Sequence, residues 1–542
     1  MSRGPGRRAS LVEYAYAAAL AVLAAAGALA PAPTPPEAAP WRGPFPVVRL
    51  GEGAPPAPPT VRVNETLDLE VAVPAPRGDP YDAVAEATFT NDATGDAYRV
   101  QAFYAGGESG RALYRFRFTP TSAGEWRFDT ASEVPGLDGR SGAVTAAPAA
   151  LAGPLVAGGG RFLLTTAAGD LAPTTYNVLS GPGGPLEDLG DLPRDEDRLA
   201  AVLEERVAAA ARLGFDAVHV VVAHEWFSLG TRRSDLLGSV QPDPRTFRVL
   251  ETLAAVAHRH GLFLHLWQWG DETRRLSPLG IPADPTVPGD PGGQGGAAFD
   301  RLQRYIAARL GPLPNWTMSY GVDLDEWSDE DAVRAWAARL GELLPLPHLL
   351  AAVEEGSGPR AFDLGDDKLA LVSRDLEGDA LVTDTFGTAL AELARARGRP
   401  LLLEADLLVS SDGPWDEDGL RRGLWRLALA GGVGAVWGLN DEPVPDPEQL
   451  RTFARFWEGR LPAASASSRL PGGGLALVAE DGRSGVVYVE DAGAVPLDAL
   501  PAGAGAFAVD AAAPYDELPV DTSAGAWTAP RRSDWAVAFT AP

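Results

Sequence analysis

Cysteine is absent from the 542-residue sequence, and only one of its 46 basic residues, Lys368, is a lysine. Without cysteine the chain cannot form a disulfide bond, a thiol nucleophile, a cysteine zinc site or an iron–sulfur cluster. Basic residues are also outnumbered by 73 acidic ones, which gives a formal charge of −27 at pH 7. Such a surface repels nucleic-acid phosphates, so no nucleic acid is expected as a partner.

Long apolar runs are scarce, and the one that approaches the length of a membrane span lies within residues 11–30. Three arginines precede this run, and Ala28-Leu29-Ala30 has the small residues typical of a cleavage site. Residues 1–30 are therefore predicted to be a signal peptide or, if uncleaved, an anchor at the short limit for a spanning helix. The proline-rich residues 31–45 predict a linker. We expect a secreted or cell-surface protein, with any membrane anchoring through this first segment only.

Short segments of alternating apolar and polar residues fill residues 46–150, for example TLDLEVAV (66–73) and ALYRFRFTP (112–120). Glycine, proline and aspartate separate these segments at intervals of about ten residues, a spacing typical of antiparallel sheets. The pattern predicts a β-sandwich. Similar short segments return in residues 465–542 and predict a second, smaller β domain.

Residues 154–462 alternate short apolar runs with longer helical patterns, which is typical of repeated βα units around a parallel sheet. Eight runs are predicted strands: residues 173–179, 216–223, 262–269, 316–322, 348–353, 369–373, 400–404 and 434–439. Six patterns are predicted helices: residues 195–214, 246–261, 297–311, 329–344, 386–398 and 418–432. The predicted fold class is α/β, a (β/α)₈ TIM barrel flanked by the N-terminal β-sandwich and the small C-terminal β domain.

Carboxylates and tryptophans are concentrated after the predicted strands, where a barrel of this type places its reacting groups. Hydrolysis of a glycosidic bond needs one carboxyl group as acid and a second as nucleophile or base. Asp323 and Glu404 are the predicted catalytic pair. Asp323 follows the small residues Ser319 and Gly321, which are expected to leave room for a ligand, and Glu404 emerges from an apolar strand that can tune its pKa.

Further residues at the strand ends are predicted to bind substrate, on the basis of position alone. They are His224, Glu225, Trp267, Trp269, Asp325 and Glu326. Asp325 and Glu326 are also alternatives to Asp323 as the acid. No cofactor and no metal are expected, because the acidic stretch 323–331 lacks the glycine of a calcium loop and His258 and His260 are not spaced as a helical metal pair.

Four segments carry a resemblance to a known family. They are GEWRFDT (124–130), WTMSYGVDLDEW (316–327), RPLLLEADLLVSSDGPWDEDGLRRGLW (399–425) and DWAVAFTAP (534–542). In this order they resemble the exported apiosidase-like glycoside hydrolases, which have an N-terminal β-sandwich of unassigned role and a C-terminal domain of the type labelled collagen-binding. That label is not evidence of collagen binding by this chain.

The resemblance implies a role for three residues of this chain. Asp323 would be the acid/base at the end of the fourth strand, and Glu404 would be the nucleophile or base at the end of the seventh. Trp437, after the eighth strand, would form the floor of a sugar subsite. The wider group of such barrels has Asn-Glu at the fourth strand, whereas this chain has Val322-Asp323. The shorter acid could change which group protonates the leaving oxygen.

Residues and resemblance together predict an exported glycoside hydrolase. It would cleave glycosidic bonds of a polysaccharide or its side chains by a two-carboxylate mechanism, with a polysaccharide or oligosaccharide as its substrate. The alternative is a non-catalytic surface protein that binds carbohydrate or mediates adhesion through a degenerate barrel. The departure at Val322-Asp323 and the two flanking β domains motivate this alternative.

Overall fold

The structure is a computed structural model, and it describes most of the chain beyond residue 42. The described residues are 43–51, 58–76, 78–149, 151–158, 161–165, 170–180, 189–231, 237, 239–355, 369–375, 379–396, 398–403, 417–438, 444–460 and 465–542. The predicted signal or anchor (1–30) and most of the predicted linker (31–45) therefore lie outside them.

Eight strands near the N-terminus pair in the order β1-β3-β6-β5-β4-β7-β8-β2. They are β1 (Val47–Arg49), β2 (Thr60–Arg62), β3 (Leu67–Pro74), β4 (Ala85–Asn91), β5 (Asp96–Glu108), β6 (Arg111–Phe118), β7 (Gly124–Ser132) and β8 (Ser141–Ala147). Residues 96–101 of β5 pair with β4, and residues 102–108 pair with β6, so the sheet folds over at β5 into two layers. Alternating apolar residues fill the space between the layers, where Phe89 of β4 stacks on Phe118 of β6 with ring centroids 4.0 Å apart.

A small antiparallel sheet follows the sandwich. Its strands are β9 (Leu155–Gly158), β10 (Arg161–Thr165) and β11 (Leu171–Thr174). The sequence pattern placed residues 173 and 174 in the first barrel strand, but they pair with β10 instead. The first barrel strand is consequently short.

The barrel strands form a parallel sheet that is nearly closed. They are β12 (Val178–Leu179), β13 (Ala217–Val221), β14 (Phe263–Trp267), β15 (Trp316–Ser319), β16 (Leu350–Ala351), β17 (Val353–Glu355), β18 (Val372–Asp375), β19 (Leu401–Leu403) and β20 (Gly434–Trp437). The pairing order is β16-β15-β14-β13-β12-β20-β19-β18-β17. Because β16 and β17 are two parts of the fifth strand, separated only by Ala352, the order returns to its start and gives the predicted eight-strand barrel.

Helices follow the strands and cover the barrel. They are α1 (Glu196–Leu213), α2 (Pro244–Arg259), α3 (Ala297–Arg309), α4 (Leu324–Trp327), α5 (Glu330–Leu343), α6 (Asp379–Arg395), α7 (Glu417–Ala430) and α8 (Pro447–Trp457). Aspartate side chains cap the first turns of four of them, through Asp195, Asp243, Asp329 and Asp446. Among the described residues, no helix has both the length and the apolar character that a membrane span requires.

The C-terminal residues form a six-stranded sheet in the order β21-β22-β23-β26-β24-β25. Its strands are β21 (Ser465–Arg469), β22 (Leu475–Ala479), β23 (Ser484–Pro496), β24 (Gly505–Asp510), β25 (Leu518–Pro519) and β26 (Ala526–Thr540). The sheet packs on α7, where the Trp425 ring stacks on Tyr488 with centroids 5.3 Å apart. Arg421 and Arg422 of α7 both contact the buried carboxylate of Asp534.

Candidate active site

The inner face of the barrel changes from apolar to polar along its strands. Near the amino ends, Val178, Ala217 and Phe263 belong to one buried apolar cluster. Two residues further along the same faces, His219 and His265 are 3% and 0% exposed. A strand presents every second residue to the same side, so both imidazoles face the interior toward the carboxyl ends.

A hydrogen-bonded group surrounds these histidines. Thr317 Oγ1 lies 2.8 Å from Tyr176 Oη and 2.8 Å from His265 Nδ1. Ser180 Oγ lies 2.8 Å from His219 Nδ1, and the two imidazole rings are stacked with centroids 5.8 Å apart. Barrel interiors are ordinarily filled by bulky branched side chains. The polar group at this end is therefore better suited to binding a polar ligand than to packing.

Trp267 and Ser319 lie at the upper edge of this polar group. The Trp267 ring stands edge-on to His219 at a centroid distance of 4.6 Å, and strand register pairs Trp267 with Ser319. Ser319 Oγ is buried and has no hydrogen-bond partner among the described residues. Because leaving a buried hydroxyl unpaired costs free energy, this atom is a candidate contact for a substrate hydroxyl or a water molecule.

Asp323 follows the fourth barrel strand and immediately precedes α4. Its backbone has φ 51° and ψ 41°, the left-handed conformation that aspartate and asparagine tolerate better than most residues. The Trp327 indole N–H donates to Val322 O at 2.9 Å and fixes the chain beside it. Ala223, after the second strand, is also left-handed with φ 50°. Backbone strain after the two strands on either side of β14 is typical of a functional site.

Gly321 does not leave room for a ligand, contrary to the sequence-based expectation. A Cβ atom at this position would lie 2.9 Å from Trp327 Cζ2 and 3.0 Å from Gly270 O. Glycine is required here because the Trp327 ring and the chain after β14 approach the backbone closely. Of the two small residues before Asp323, only Ser319 has its side chain on the inner face.

Carboxylates from two loops meet at the rim beside Asp323. The charge of Glu272, after the third strand, raises the pKa of Glu326 above its usual value of 4.5. Slight burial, the charges of Asp323 and Asp325 and a hydrogen bond to Glu272 act in the same direction. Asp325 and Glu326 are exposed, whereas Asp323 is half-buried. Of these acids, Asp323 is the one partly enclosed by the barrel mouth.

Three predicted substrate-binding residues are buried in the loops behind the mouth. His224 is 1% exposed, with Nε2 3.0 Å from Ser277 O, and Glu225 is 0% exposed and accepts a hydrogen bond from Gly230 N at 3.0 Å. Trp269 is also 0% exposed and stacks on Phe299 with centroids 6.2 Å apart. In this conformation they support the loops, and their direct contact with substrate stays a prediction.

Trp437 ends the eighth strand on its outward side. It is 2% exposed, its indole N–H donates to Asn177 Oδ1 at 3.2 Å, and it packs in the cluster that contains Leu179 and Leu403. That cluster joins the outer face of the strands to the helices. The predicted sugar subsite at Trp437 stays a prediction, since the ring is enclosed in this conformation.

Glu404, the other predicted catalytic residue, directly follows β19 and lies outside the described residues. Leu402, two residues earlier, belongs to the inner apolar cluster, whereas Leu401 and Leu403 belong to the outer one. Of the predicted pair, the structure therefore describes Asp323. For Glu404 it describes only the preceding strand.

The sequence interpretation missed Thr317 and Ser180, which form hydrogen bonds with the two inner histidines, and Tyr176, which forms one with Thr317. Alternation along β15 was the available signal, because Thr317 and Ser319 are polar and share one face of a strand that is otherwise apolar. Within the part of the chain that the structure describes, no group of three or more histidine, aspartate or glutamate side chains is arranged to hold a metal ion.

Comparisons with known proteins agree with the barrel architecture. Residues 60–133 match a family model described as a domain of unknown function, DUF5060, and no curated protein matches the chain. A candidate glycoside hydrolase from Bacteroides vulgatus aligns with 89% of this chain and 99% of its own, at 17% identity and a TM-score of 0.64. A family 5 glycoside hydrolase from the same organism aligns with 72% of this chain and 93% of its own, at 12% identity and a TM-score of 0.48. The first likeness shows a shared fold over most of the chain. Both of these structural neighbours are described as glycoside hydrolases.

Proposed function

We propose that the protein is an exported glycoside hydrolase that cleaves glycosidic bonds of a polysaccharide or its side chains. The observation that carries the proposal is the carboxyl end of the fourth strand. Thr317 of this strand belongs to a hydrogen-bonded layer of histidine, threonine and tyrosine, and the half-buried Asp323 follows the strand. A sugar presents hydroxyl groups that can exchange hydrogen bonds with such a layer. Export rests on the pattern of residues 1–30.

In the proposed mechanism Asp323 protonates the leaving oxygen and Glu404 attacks the anomeric carbon or activates water. Asp323 is assigned the first role because it is half-buried after the fourth strand and because the family resemblance implies an acid/base at this position. Glu404 is assigned the second role because it follows β19 in the sequence and because the family resemblance implies it. A carboxyl separation of about 5–5.5 Å would give retention of configuration, and about 6.5–9.5 Å would give inversion.

Substrate contacts are proposed at two depths of the mouth. Trp267, edge-on to His219, and the unpartnered Ser319 hydroxyl lie where a sugar ring could enter. Asp325 and Glu326 are exposed at the rim, where they could bind hydroxyls of a neighbouring sugar. The buried His224, Glu225, Trp269 and Trp437 would act mainly by holding this surface in place.

The test is release of reducing sugar from a panel of polysaccharides and oligosaccharides by the full chain. Asp323→Asn and Glu404→Gln should each lower kcat by about 10²–10⁴-fold, the usual contribution of a general acid or base. Asparagine tolerates the left-handed backbone, so Asp323→Asn should stay folded. Asp331→Asn is the matched control, because the Asp331 side chain on α5 is fully exposed at 101%.

Unchanged activity in both catalytic variants would remove the assignment of the pair. Saturable glycan binding by the wild-type chain with no hydrolysis on any member of the panel would instead support the non-catalytic carbohydrate-binding alternative. Hydrolysis that is lost only in Glu326→Gln, and not in Asp323→Asn, would move the acid to Glu326.

A further inference from the structure

We propose that the N-terminal sandwich, part of which matches a family of unknown function, positions the loop after the third barrel strand and thereby shapes the substrate mouth. This loop is residues 270–296, between β14 and α3, and is called the third loop below. Its first residues carry Glu272 to the acidic rim, and its later residues contact Arg301 of α3, which in turn contacts the sandwich. The part of the proposal that concerns substrate rests on the proposed function.

Arg301 of α3 connects the third loop to the sandwich. Its side chain is 2% exposed, and its Nε lies 2.8 Å from Asp82 Oδ1 in the sandwich turn between β3 and β4. Its Nη2 lies 2.8 Å from Asp284 Oδ2 in the third loop, and its Nη1 donates to Val240 O, after the second strand, at 3.2 Å. A planar guanidinium holds its partners in a fixed geometry, so Arg301 ties two mouth loops to one sandwich turn.

The half of the third loop next to Arg301 is internally bonded. Asp284 is 1% exposed and accepts hydrogen bonds from Thr286 N at 2.9 Å and Thr286 Oγ1 at 2.6 Å. Asp290 accepts hydrogen bonds from Asp284 N at 2.6 Å and Ala297 N at 2.8 Å. A displacement at Asp284 would therefore move this half of the loop as a unit.

The other half of the third loop contacts residues that follow the second barrel strand. Gly270 N donates to Leu276 O at 2.5 Å and closes a tight turn that contains Glu272. Ser277 O lies 3.0 Å from His224 Nε2, and Gly280 packs against the His224 ring so closely that a Cβ atom would collide with it. Contacts of the third loop thus extend from the acidic rim to Arg301, through which the loop is linked to the sandwich.

A separate buried contact docks the sandwich on the barrel helices. Arg117 of β6 is fully buried, with Nε 2.8 Å from Asp68 Oδ1 and Nη1 2.6 Å from Glu251 Oε1 of α2. Arg309 of α3 completes this group, with Nε 2.6 Å from the same Glu251 oxygen. Buried ion pairs of this kind are costly to break. The sandwich should stay docked when the Asp82 contact is removed, so docking and loop positioning can be tested separately.

The experiment is hydrogen exchange of the full chain, read by mass spectrometry, for Asp82→Ala against the matched control Asp92→Ala. Asp92 is an exposed sandwich residue whose pair with Arg127, at 3.1 Å, contacts no barrel loop. Asp82→Ala should speed exchange in peptides of the third loop by about fivefold, the effect of losing its partly exposed ion pairs with Arg301 and Arg304. Peptides of α2 and β6 should keep wild-type exchange, and Asp92→Ala should leave the third loop unchanged.

A second variant, Arg301→Gln, should loosen the same third-loop peptides. Where hydrolysis is measurable, Asp82→Ala should raise KM with little change in kcat, because it touches no proposed catalytic group. The proposal would be overturned if the third loop of Asp82→Ala exchanged at the wild-type rate. It would also be overturned if exchange in α2 and β6 rose as much as in the third loop, because that result would indicate that the sandwich had undocked from the barrel. Absence of hydrolysis by the wild-type chain would count against the proposed function alone, since exchange still decides whether the sandwich positions the loop.

Discussion

The inner face of β14 combines two kinds of side chain: Phe263 at the amino end and Trp267 at the carboxyl end share an apolar cluster, whereas His265 between them is polar. At its amino end Phe263 packs against Tyr176 with ring centroids 6.2 Å apart, inside an apolar cluster. Further along the same face, His265 is hydrogen-bonded to Thr317, and Trp267 meets His219. Apolar burial stabilises a fold by about 25 cal/mol per Å², whereas a buried hydrogen bond contributes little net stability. The amino end thus supports the barrel, and the polar groups further along the strand are those to which we assign binding in the proposed function.

The largest expected effect is on the free energy of unfolding. It contrasts Phe263, at the amino end of β14, with Ser319, at the carboxyl end of β15. Phe263→Ala should lower the free energy of unfolding by about 4 kcal/mol, because it removes a buried ring and leaves a cavity. Ser319→Ala should change it by less than about 1 kcal/mol, since the lost hydroxyl has no partner among the described residues. Urea unfolding of both variants measures the difference, and a larger loss in Ser319→Ala would contradict the comparison.

A medium effect on stability is expected from the hydrogen-bonded layer that Tyr176, Thr317 and His265 form. Thr317→Val keeps the shape of the side chain but removes the hydroxyl that contacts both Tyr176 and His265, so we expect a loss of about 2 kcal/mol. It should also weaken glycan binding or hydrolysis. Thr452→Val is the control, because the buried Thr452 hydroxyl donates only to Ala513 O, outside the barrel. Equal loss of glycan binding or hydrolysis in both variants would argue against a role for the layer in binding.

The smallest effect concerns the rim acids. Glu272→Gln should lower the pKa of Glu326 toward 4.5, because the main cause of its rise is the Glu272 charge. A raised carboxyl pKa contributes stability that is present below 4.5 and lost as pH rises through the folded-state pKa. The substitution should therefore improve stability slightly at neutral pH and leave it unchanged well below 4.5.

Titration of the glutamate carboxyl carbons by NMR measures this shift. Glu330→Gln is the control, because Glu330 pairs with Arg334 on α5 at 2.9 Å and is not among the groups that raise the pKa of Glu326. An unchanged Glu326 titration in Glu272→Gln would show that the two carboxylates do not interact in solution.

Much of the fold was predictable because the apolar runs are short and the helical patterns between them are long. All eight predicted barrel strands overlap observed strands, and the helix predicted at 195–214 is found at Glu196–Leu213. The antiparallel strands β9 to β11 were not predicted. Periodicity alone cannot separate the end of such a hairpin from the start of a parallel strand, which is why residues 173 and 174 were placed in the barrel.

The site was less predictable because it depends on side-chain direction. Proximity to a strand end drew attention to Asp323, whose catalytic role stays a prediction. It could not show that Trp269 packs on Phe299 or that Trp437 lies on the outer side. Gly321 has a packing role that only the approach of Trp327 explains. Register and loop contacts, which are set by tertiary structure, decide these cases.

The break in the fifth strand has a consequence for stereochemistry. The sheet consists of two arcs, β12 to β16 and β17 to β20, which meet at Ala352 and along the pairing of β12 with β20. Asp323 follows β15 on the first arc, and Glu404 follows β19 on the second. A slip of one arc along these seams would alter the gap between the two acids, and a difference of about 1–4 Å in that gap separates retaining from inverting enzymes. The outcome of the proposed reaction would then depend on backbone pairings within the barrel sheet itself.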